Sequence, residues 1–170
     1  AVQACGQANV DYLRLERPQW ILPPNTDVIF VPDALEAARL IARTSSAAFL
    51  TVGRKDLAAF EGLDNVKLLI RTIEPLHAEH AYNNATFIRA RPPFTVDDEI
   101  ALMRDHQIDT LVSKASGGDA TRAKIDAAQH LDARIVLIRR PPPLDTQRVT
   151  EVQDAVVWIA QKCQTFALTD

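Results

Sequence analysis

Residues 110–128, TLVSKASGGDATRAKIDAA, place an aliphatic run, two adjacent glycines and a helical pattern directly after one another. This order predicts a buried strand, a glycine turn and a helix that begins at Ala120. Paired glycines allow positive φ angles and bring backbone N–H groups close to a ligand, and a helix start carries partial positive charge. The stretch therefore favours a loop that binds phosphate or carboxylate. The alternative interpretation is a plain tight turn in which Asp119 caps the helix.

Aliphatic strand patterns alternate with helical patterns along most of the chain. The predicted strands cover residues 12–15, 28–31, 48–52, 66–73, 86–90, the run before the paired glycines, and 134–139. The other predicted helices cover residues 34–43, 56–61, 74–84, 95–106 and 150–163, with Asp33, Thr95 and Thr150 as capping residues. Such alternation predicts a parallel sheet with helices on both faces, which is the α/β class.

Length and composition indicate one main domain and limit its partners. The chain has 170 residues, 47% hydrophobic content, a formal charge of −3 and a pI near 5.8, with 6% aromatic residues. These values argue against a nucleic-acid-binding surface, and no apolar run is long enough for a membrane span. Cys5 and Cys163 lack metal-ligand spacing, so we expect two free thiols in a reducing compartment, with the protein in the cytoplasm.

The start of the chain and a proline-containing connection predict a domain boundary. Residues 1–9 read as the last turns of a helix, from which we expect further sequence upstream. Pro23 and Pro24, which follow Trp20, indicate a linker. The predicted boundary therefore falls after residue 20.

Basic residues follow five successive predicted strands, although the net charge of the chain is negative. They are Arg54 and Lys55, then Arg71, Arg89 and Arg91, then Lys114, and finally Arg139 and Arg140. In parallel sheets, ligands bind over the carboxyl ends of the strands, where the strand order reverses. The pattern favours an anionic ligand with several charges. The alternative is that these charges are merely solvated loop residues.

The segment TVGRKDL, residues 51–57, resembles a ligand-binding turn. Gly53 permits a sharp turn after the strand, while Arg54 and Lys55 supply donors above the sheet. An arginine at this position can accept the 2′-phosphate of a dinucleotide. However, the chain contains neither GxGxxG nor GxxxxGK[ST], so a solvated glycine turn is an equally good interpretation.

Other candidate groups are interpreted as structural. His77 and His80 lack a third ligand and predict a solvated helix face, and no nucleophile-elbow motif surrounds Ser116. The acidic run Asp97, Asp98 and Glu99 is assigned to the start of a helix, and both Trp20 and Trp158 are assigned to packing. The sequence therefore indicates no metal site and no catalytic nucleophile.

Five ordered blocks together resemble one known family. They are LRLERPQW at 13–20, FLTVGRKDLAAF at 49–60, RARPPF at 89–94, VSKASGGDATRAKIDAA at 112–128 and VLIRRPPP at 136–143. In this order they closely resemble the precorrin-6A reductase family of cobalamin biosynthesis. Val52, Pro92 and Ala115 depart from the residues expected there. The family's amino-terminal GGT-type glycine motif and its DATHPFA-like block are not found in this chain.

The resemblance implies a protein of two Rossmann-like domains with the active site in the cleft between them. Residues 1–20 would be the remnant of the amino-terminal domain, and residues 21–170 would form the carboxyl-terminal, NADPH-binding domain. The implied reaction is the NADPH-dependent reduction of one double bond of precorrin-6A, giving precorrin-6B, with hydride to one carbon and a proton to its neighbour. We expect a monomer with this tetrapyrrole as its substrate.

The resemblance also implies roles for individual residues. The cofactor-binding set is Thr51, Gly53, Arg54, Lys55, Lys114, Ser116, Gly117, Gly118, Thr121 and Lys124. The set for substrate carboxylates or the 2′-phosphate is Arg14, Arg89, Arg91, Arg139 and Arg140. No proton donor is assigned. Three alternatives stay open: a cobalt-containing precorrin substrate, a nucleotide- or anion-binding module without catalysis, and a non-redox tetrapyrrole enzyme that binds no NADPH.

Overall fold

The computed structural model describes residues 1–74, 82–142 and 145–167, with side chains to residue 164. Two compact units are present: Ala1–Pro18 with Pro142–Asp170, and Gln19–Pro141. Most of the helix predicted over residues 74–84, including His77 and His80, lies outside the described residues. The observed division near residue 18 is close to the predicted boundary, but the segment after Pro141 groups with the first residues instead of with the larger unit.

Strands and short helices alternate as the sequence predicts. The strands are β1 (Arg14–Leu15), β2 (Val28–Val31), β3 (Ala47–Thr51), β4 (Lys67–Thr72), β5 (Ala85–Arg89), β6 (Thr110–Lys114), β7 (Arg134–Ile138) and β8 (Arg148–Val149). The α-helices are α1 (Val2–Gln7), α2 (Ala34–Thr44), α3 (Arg54–Leu57), α4 (Val96–Asp105), α5 (Ala123–His130) and α6 (Val152–Ala167). None of the helices in these described ranges is long and apolar enough to cross a membrane.

The larger unit is built on one parallel sheet of six strands in the order β2-β7-β6-β3-β4-β5. From β3 the chain moves outward to β4 and β5, and it then returns to β6 on the other side of β3. The strand order therefore reverses between β3 and β6, which is where open α/β sheets bind their ligands. The predicted α/β class and parallel sheet are confirmed.

The two faces of the sheet are covered by different helices. On one face, Ile41 of α2 belongs to a buried cluster with Leu50 and Val112. On the other face, Met103 of α4 and Ile125 of α5 belong to a second buried cluster, which contains the sheet residues Phe49 and Leu111. Phe49 and Leu50 are adjacent in β3 yet lie in different clusters because successive side chains of a strand point to opposite faces.

Two predicted helix caps are confirmed. The N–H of Glu36 donates to Oδ1 of Asp33 at 2.9 Å, and the N–H of Asp98 donates to Oγ1 of Thr95 at 3.1 Å. The Thr95 hydroxyl also donates to Oδ2 of Asp98 at 2.7 Å. These bonds satisfy N–H groups that a helix leaves unpaired at its start.

Two predicted helices differ in form from the structure. The helix predicted at residues 56–61 is the single turn α3 followed by a 3₁₀ turn, Ala58–Phe60. Leu57 and Phe60 are both buried, and 3₁₀ geometry aligns residues three apart on one face. The helix predicted from Ala120 also starts with a 3₁₀ turn, Asp119–Thr121, and α5 follows it.

The smaller unit contains α1, the short parallel pair β1 and β8, and α6. The indole Nε1 of Trp158 donates to Oε1 of Gln147 at 2.9 Å, and Nζ of Lys162 lies 2.9 Å from Oδ2 of Asp11. Val156, Val157 and Ile159, the neighbours of Trp158 on α6, are exposed. Trp158 itself is half-buried, and a hydrogen bond holds its indole in this unit.

Candidate functional site

The loops after β3 and β6 lie side by side at the point where the strand order reverses. Thr51 pairs in register with Ser113, so the two strands end at the same edge of the sheet. Nζ of Lys114 lies 2.6 Å from Oδ2 of Asp56, which joins the first turn after β3 to the end of β6. The structure thus brings together the two loops that the sequence assigns to a cofactor.

The glycine loop after β6 is held through its carbonyl groups. Gly117 and Gly118 both have positive φ angles, of 64° and 76°. The indole of Trp20 donates to the carbonyl of Gly118 at 2.8 Å, and Nε of Arg140 donates to the carbonyl of Ala115 at 2.7 Å. A second Arg140 nitrogen donates to the carbonyl of Ser116. These three carbonyls are thus engaged by protein donors.

In contrast to these carbonyls, the N–H groups of the two glycines are available to a ligand. Within the described residues, neither the Gly117 nor the Gly118 N–H donates to a protein acceptor. Asp119 is not a helix cap, because Gly118 and Arg122 occupy the capping positions and neither makes a side-chain capping bond. The capping of the helix by Asp119, which the alternative interpretation assumed, is therefore wrong, and the loop keeps its potential for binding an anion.

A cleft of about 380 Å³ opens beside the ends of β3, β4 and β5. Five residues of the predicted cofactor set line it, namely Thr51, Gly53, Arg54, Thr121 and Lys124. The remaining lining residues are Val52, Arg71, Thr72, Ile73, Glu74, Ala90, Pro92 and Phe94. The cleft thus combines apolar walls with several cations. Lys55, Lys114 and the residues Ser116 to Gly118 are outside its lining.

A buried ion pair lies at the floor of this cleft. Both guanidinium NH₂ groups of Arg71 donate to Glu99, one of them at 3.2 Å, and their side chains are only 8% and 2% exposed. The guanidinium carbon also lies 3.9 Å from the ring centroid of Phe94 and 4.9 Å from that of Phe49. Glu99 lies in the first turn of α4, as the sequence predicts, and it is also the buried partner of Arg71. The sequence did contain a signal for the burial of Glu99. It lies four residues before Met103, and residues four apart share a helix face, which is the buried face of α4.

Lys124 is a buried lysine next to this ion pair. The residue is 8% exposed, and in the described part of the chain its side-chain amine forms no hydrogen bond or ion pair. Its burial, aided by the charge of Arg71, lowers the pKa of the Lys124 amine from 10.5 to about 8, while Glu99 acts in the opposite direction. The cleft floor therefore carries an amine that changes charge near neutral pH.

The predicted substrate arginines do not form one cluster. Arg91 pairs with Glu74, and Arg140 holds the glycine loop. The guanidinium carbon of Arg139 lies 5.3 Å from the ring centroid of Phe30. Arg89 is exposed at the end of β5. Arg14 belongs to the smaller unit, where its Nε lies 2.7 Å from Oε1 of Glu16. Contact of these arginines with a substrate stays a prediction.

The strand order and the basic, glycine-containing edge place the larger unit in the class of Rossmann-like α/β domains. Residues 1–160 match the family described as precorrin-6x reductase CbiJ/CobK. The chain belongs to that family, which confirms the resemblance found in the sequence.

Relatives and one solved structure agree with this assignment. The chain is 39% identical over 160 residues to a precorrin-6A reductase of Rhodococcus erythropolis, covering 94% of this chain and 64% of the relative. It is 40% identical over 162 residues to the precorrin-6A reductase of Mycobacterium tuberculosis H37Rv, and the match covers 94% of this chain and 65% of that relative. A solved structure of CobK precorrin-6A reductase superposes with a TM-score of 0.88 at 28% identity, and the match covers 94% of this chain and 66% of the solved chain. The chain thus spans slightly less than two thirds of the length of these proteins.

Removing one partner of the buried ion pair should destabilise the larger unit. Arg71→Met leaves the Glu99 carboxylate buried without a counter-charge, so we expect the free energy of unfolding to fall by about 3–5 kcal/mol. The double variant Arg71→Met with Glu99→Leu should recover most of this loss, because no unpaired charge remains. Urea denaturation of both variants and the wild type measures the difference. A double variant less stable than the single one would contradict this account.

Replacing Lys124 by methionine should stabilise the fold at neutral pH. A pKa lowered from 10.5 to about 8 corresponds to on the order of 3 kcal/mol of unfavourable burial of the charged amine. Between these two pH values the unfolded chain binds more protons than the folded one, so the stability of the wild type rises with pH. The advantage of Lys124→Met should therefore be largest below pH 8 and shrink toward pH 10.5. Denaturation curves across this range test it, and a pH-independent difference would contradict it.

Proposed function

We propose that this chain supplies the NADPH-binding part of an enzyme that reduces precorrin-6A to precorrin-6B in cobalamin biosynthesis. The observation that carries the proposal is the 39–40% identity, over 94% of the chain, to relatives named precorrin-6A reductase. The basic edge at the reversal of strand order supports it from the structure. Because the chain spans less than two thirds of those relatives, the activity is proposed for the protein of which these residues form a part.

The loops at this edge fit the phosphates of a dinucleotide. The N–H groups of Gly117 and Gly118, which donate to no acceptor among the described residues, suit a phosphate, and Lys114 stands at the start of the same loop. At Gly53, a Cβ atom would lie 3.5 Å from Oδ2 of Asp56 and 3.7 Å from Nζ of Lys114, which are ordinary contacts. The backbone there has a φ of −74°, which any residue can adopt. The protein itself therefore does not require glycine at residue 53, and close approach of a ligand is a sufficient reason for it.

The proposed roles follow the position of each residue. The cofactor, when bound, supplies the hydride. Arg54 and Lys55 would bind the 2′-phosphate of the cofactor. The pyrophosphate would be bound by the loop residues Lys114, Ser116, Gly117 and Gly118. The residues close to the ribose and to the nicotinamide would be Thr51, Thr121 and Lys124. The exposed Arg89 and Arg91, with Arg14 and Arg139, would bind acetate and propionate groups of the substrate. Arg140 would act mainly by holding the glycine loop in place, as its bonds to Ala115 and Ser116 indicate.

A cobalt-containing precorrin is the second candidate substrate. Relatives named cobalt-precorrin-6A reductase match this chain at 26–29% identity, whereas relatives named precorrin-6A reductase match it at 29–40%. The matches at 39–40% among the latter favour the metal-free substrate.

Anaerobic incubation with NADPH and precorrin-6A tests the proposed function. We expect the chromophore of precorrin-6A to disappear in proportion to the NADPH oxidised. Parallel reactions with NADH and with cobalt-precorrin-6A measure the preference for cofactor and substrate. Binding of NADPH without any change of the chromophore would favour a non-catalytic module. Absence of NADPH binding would favour a non-redox tetrapyrrole enzyme.

Arg54→Ala should lower the affinity for NADPH by about ten- to a hundredfold, because it removes a charge-assisted contact to phosphate. Affinity for NADH should change much less, since NADH lacks the 2′-phosphate. Titration calorimetry measures both. Arg43→Ala is the matched control, because Arg43 is an exposed arginine in the last turn of α2. Unchanged NADPH affinity of Arg54→Ala would remove Arg54 from the proposed site.

A further inference from the structure

The proposed reduction needs a proton as well as a hydride. Hydride addition to one carbon of a conjugated double bond leaves negative charge that a proton must neutralise at the neighbouring carbon. A protein acid that lies in the cleft and is protonated near neutral pH can supply that proton. The sequence assigned no residue to this task.

The lining of the cleft leaves one side chain suited to the role. The guanidinium groups of Arg54 and Arg71 do not deprotonate in proteins, and the hydroxyls of Thr51, Thr72 and Thr121 are weak acids. The Glu74 carboxylate is ion-paired with Arg91 and accepts its hydrogen bond. The remaining titratable group among the described lining residues is the amine of Lys124.

The surroundings of Lys124 suit a proton donor. Glu99 is the carboxylate that acts on the amine, and Arg71 already holds it through two hydrogen bonds, so Lys124 is not neutralised by an ion pair. Burial lowers the pKa of Lys124 to about 8, which leaves the amine mostly protonated at neutral pH and still able to release a proton.

A route for reloading the amine is also present. A small hollow of about 20 Å³ lies between Lys124, Thr121, Ala123, Arg71 and Phe94. A cavity of roughly 10–15 Å³ on this measure accommodates one water molecule. A single water in this hollow can therefore pass a proton to Lys124.

We propose that Lys124 is the catalytic residue that protonates the carbon next to the one that receives hydride, a role that rests on the proposed function. The double bond gains one hydride from the nicotinamide and one proton from the Lys124 ammonium group. Two C–H bonds form, the π bond is lost, and the reduced nicotinamide becomes oxidised. Lys124 is left as a neutral amine, which water then protonates.

The test compares the wild type with two variants. Lys124→Met has no acidic proton on its side chain, and Lys124→Arg keeps the positive charge but does not release a proton. With saturating NADPH and precorrin-6A, we expect kcat of both variants to fall by about a hundredfold or more, and NADPH affinity to fall much less. The wild-type kcat should fall as pH rises through about 8, because the amine then loses its proton. Lys67→Met is the control, since Lys67 is an exposed lysine at the start of β4.

Other outcomes would overturn the role of Lys124. If kcat of Lys124→Met stays within about threefold of the wild type while NADPH affinity falls, Lys124 is a cofactor ligand only. If Lys124→Arg retains full activity, the charge alone is required. Failure of the wild type to reduce precorrin-6A overturns the proposed function instead. A separate readout needs no turnover: NMR titration of the Lys124 side chain should give a pKa near 8, and an ordinary value near 10.5 would overturn the inference.

Discussion

The parallel pairing of β3 with β6 is the contact on which the candidate site depends. These strands are far apart in sequence, yet their register places Thr51 beside Ser113. The turn at Gly53 and the paired glycines after Lys114 therefore emerge at the same edge. The ion pair between Lys114 and Asp56 connects the two loops once the strands have aligned. Without this pairing, the basic residues would belong to separate loops with no common ligand.

The second organising principle is the way the structure distributes its charges. Arg71 and Glu99 neutralise each other in a buried, bidentate pair, and two aromatic rings cover the guanidinium. The neighbouring Lys124 amine remains unpaired within the described residues. Burying a charge without a partner is costly, and such costs are often retained at sites of binding or catalysis. Arg71 is therefore a structural cation, whereas the amine of Lys124 has no such structural partner among the described residues.

Sequence reasoning located the strands and the glycine loop but missed several long-range side-chain contacts. The alternation of aliphatic and amphipathic segments predicted the parallel sheet, and the caps at Asp33 and Thr95 were read correctly, because these signals depend on neighbouring residues. The assignment of Glu99 to a helix start was correct, but its pairing with Arg71 and the bonds of Arg140 to the glycine loop were not predicted, because these partners are distant in sequence. Arg140 contacts Ala115 and Ser116, and Glu99 contacts Arg71 across the sheet edge.

The sequence by itself determined the α/β class, the family and the presence of a basic, glycine-containing edge. Local hydrophobic periodicity and ordered motifs are sufficient for these conclusions. Only the tertiary structure decided which cations are available to a ligand, because that depends on burial and on partners from other strands. It paired Arg71 with Glu99, committed Arg140 to the glycine loop and left Lys124 buried beside the cleft. Those distinctions arise from packing between distant segments, which no local pattern records.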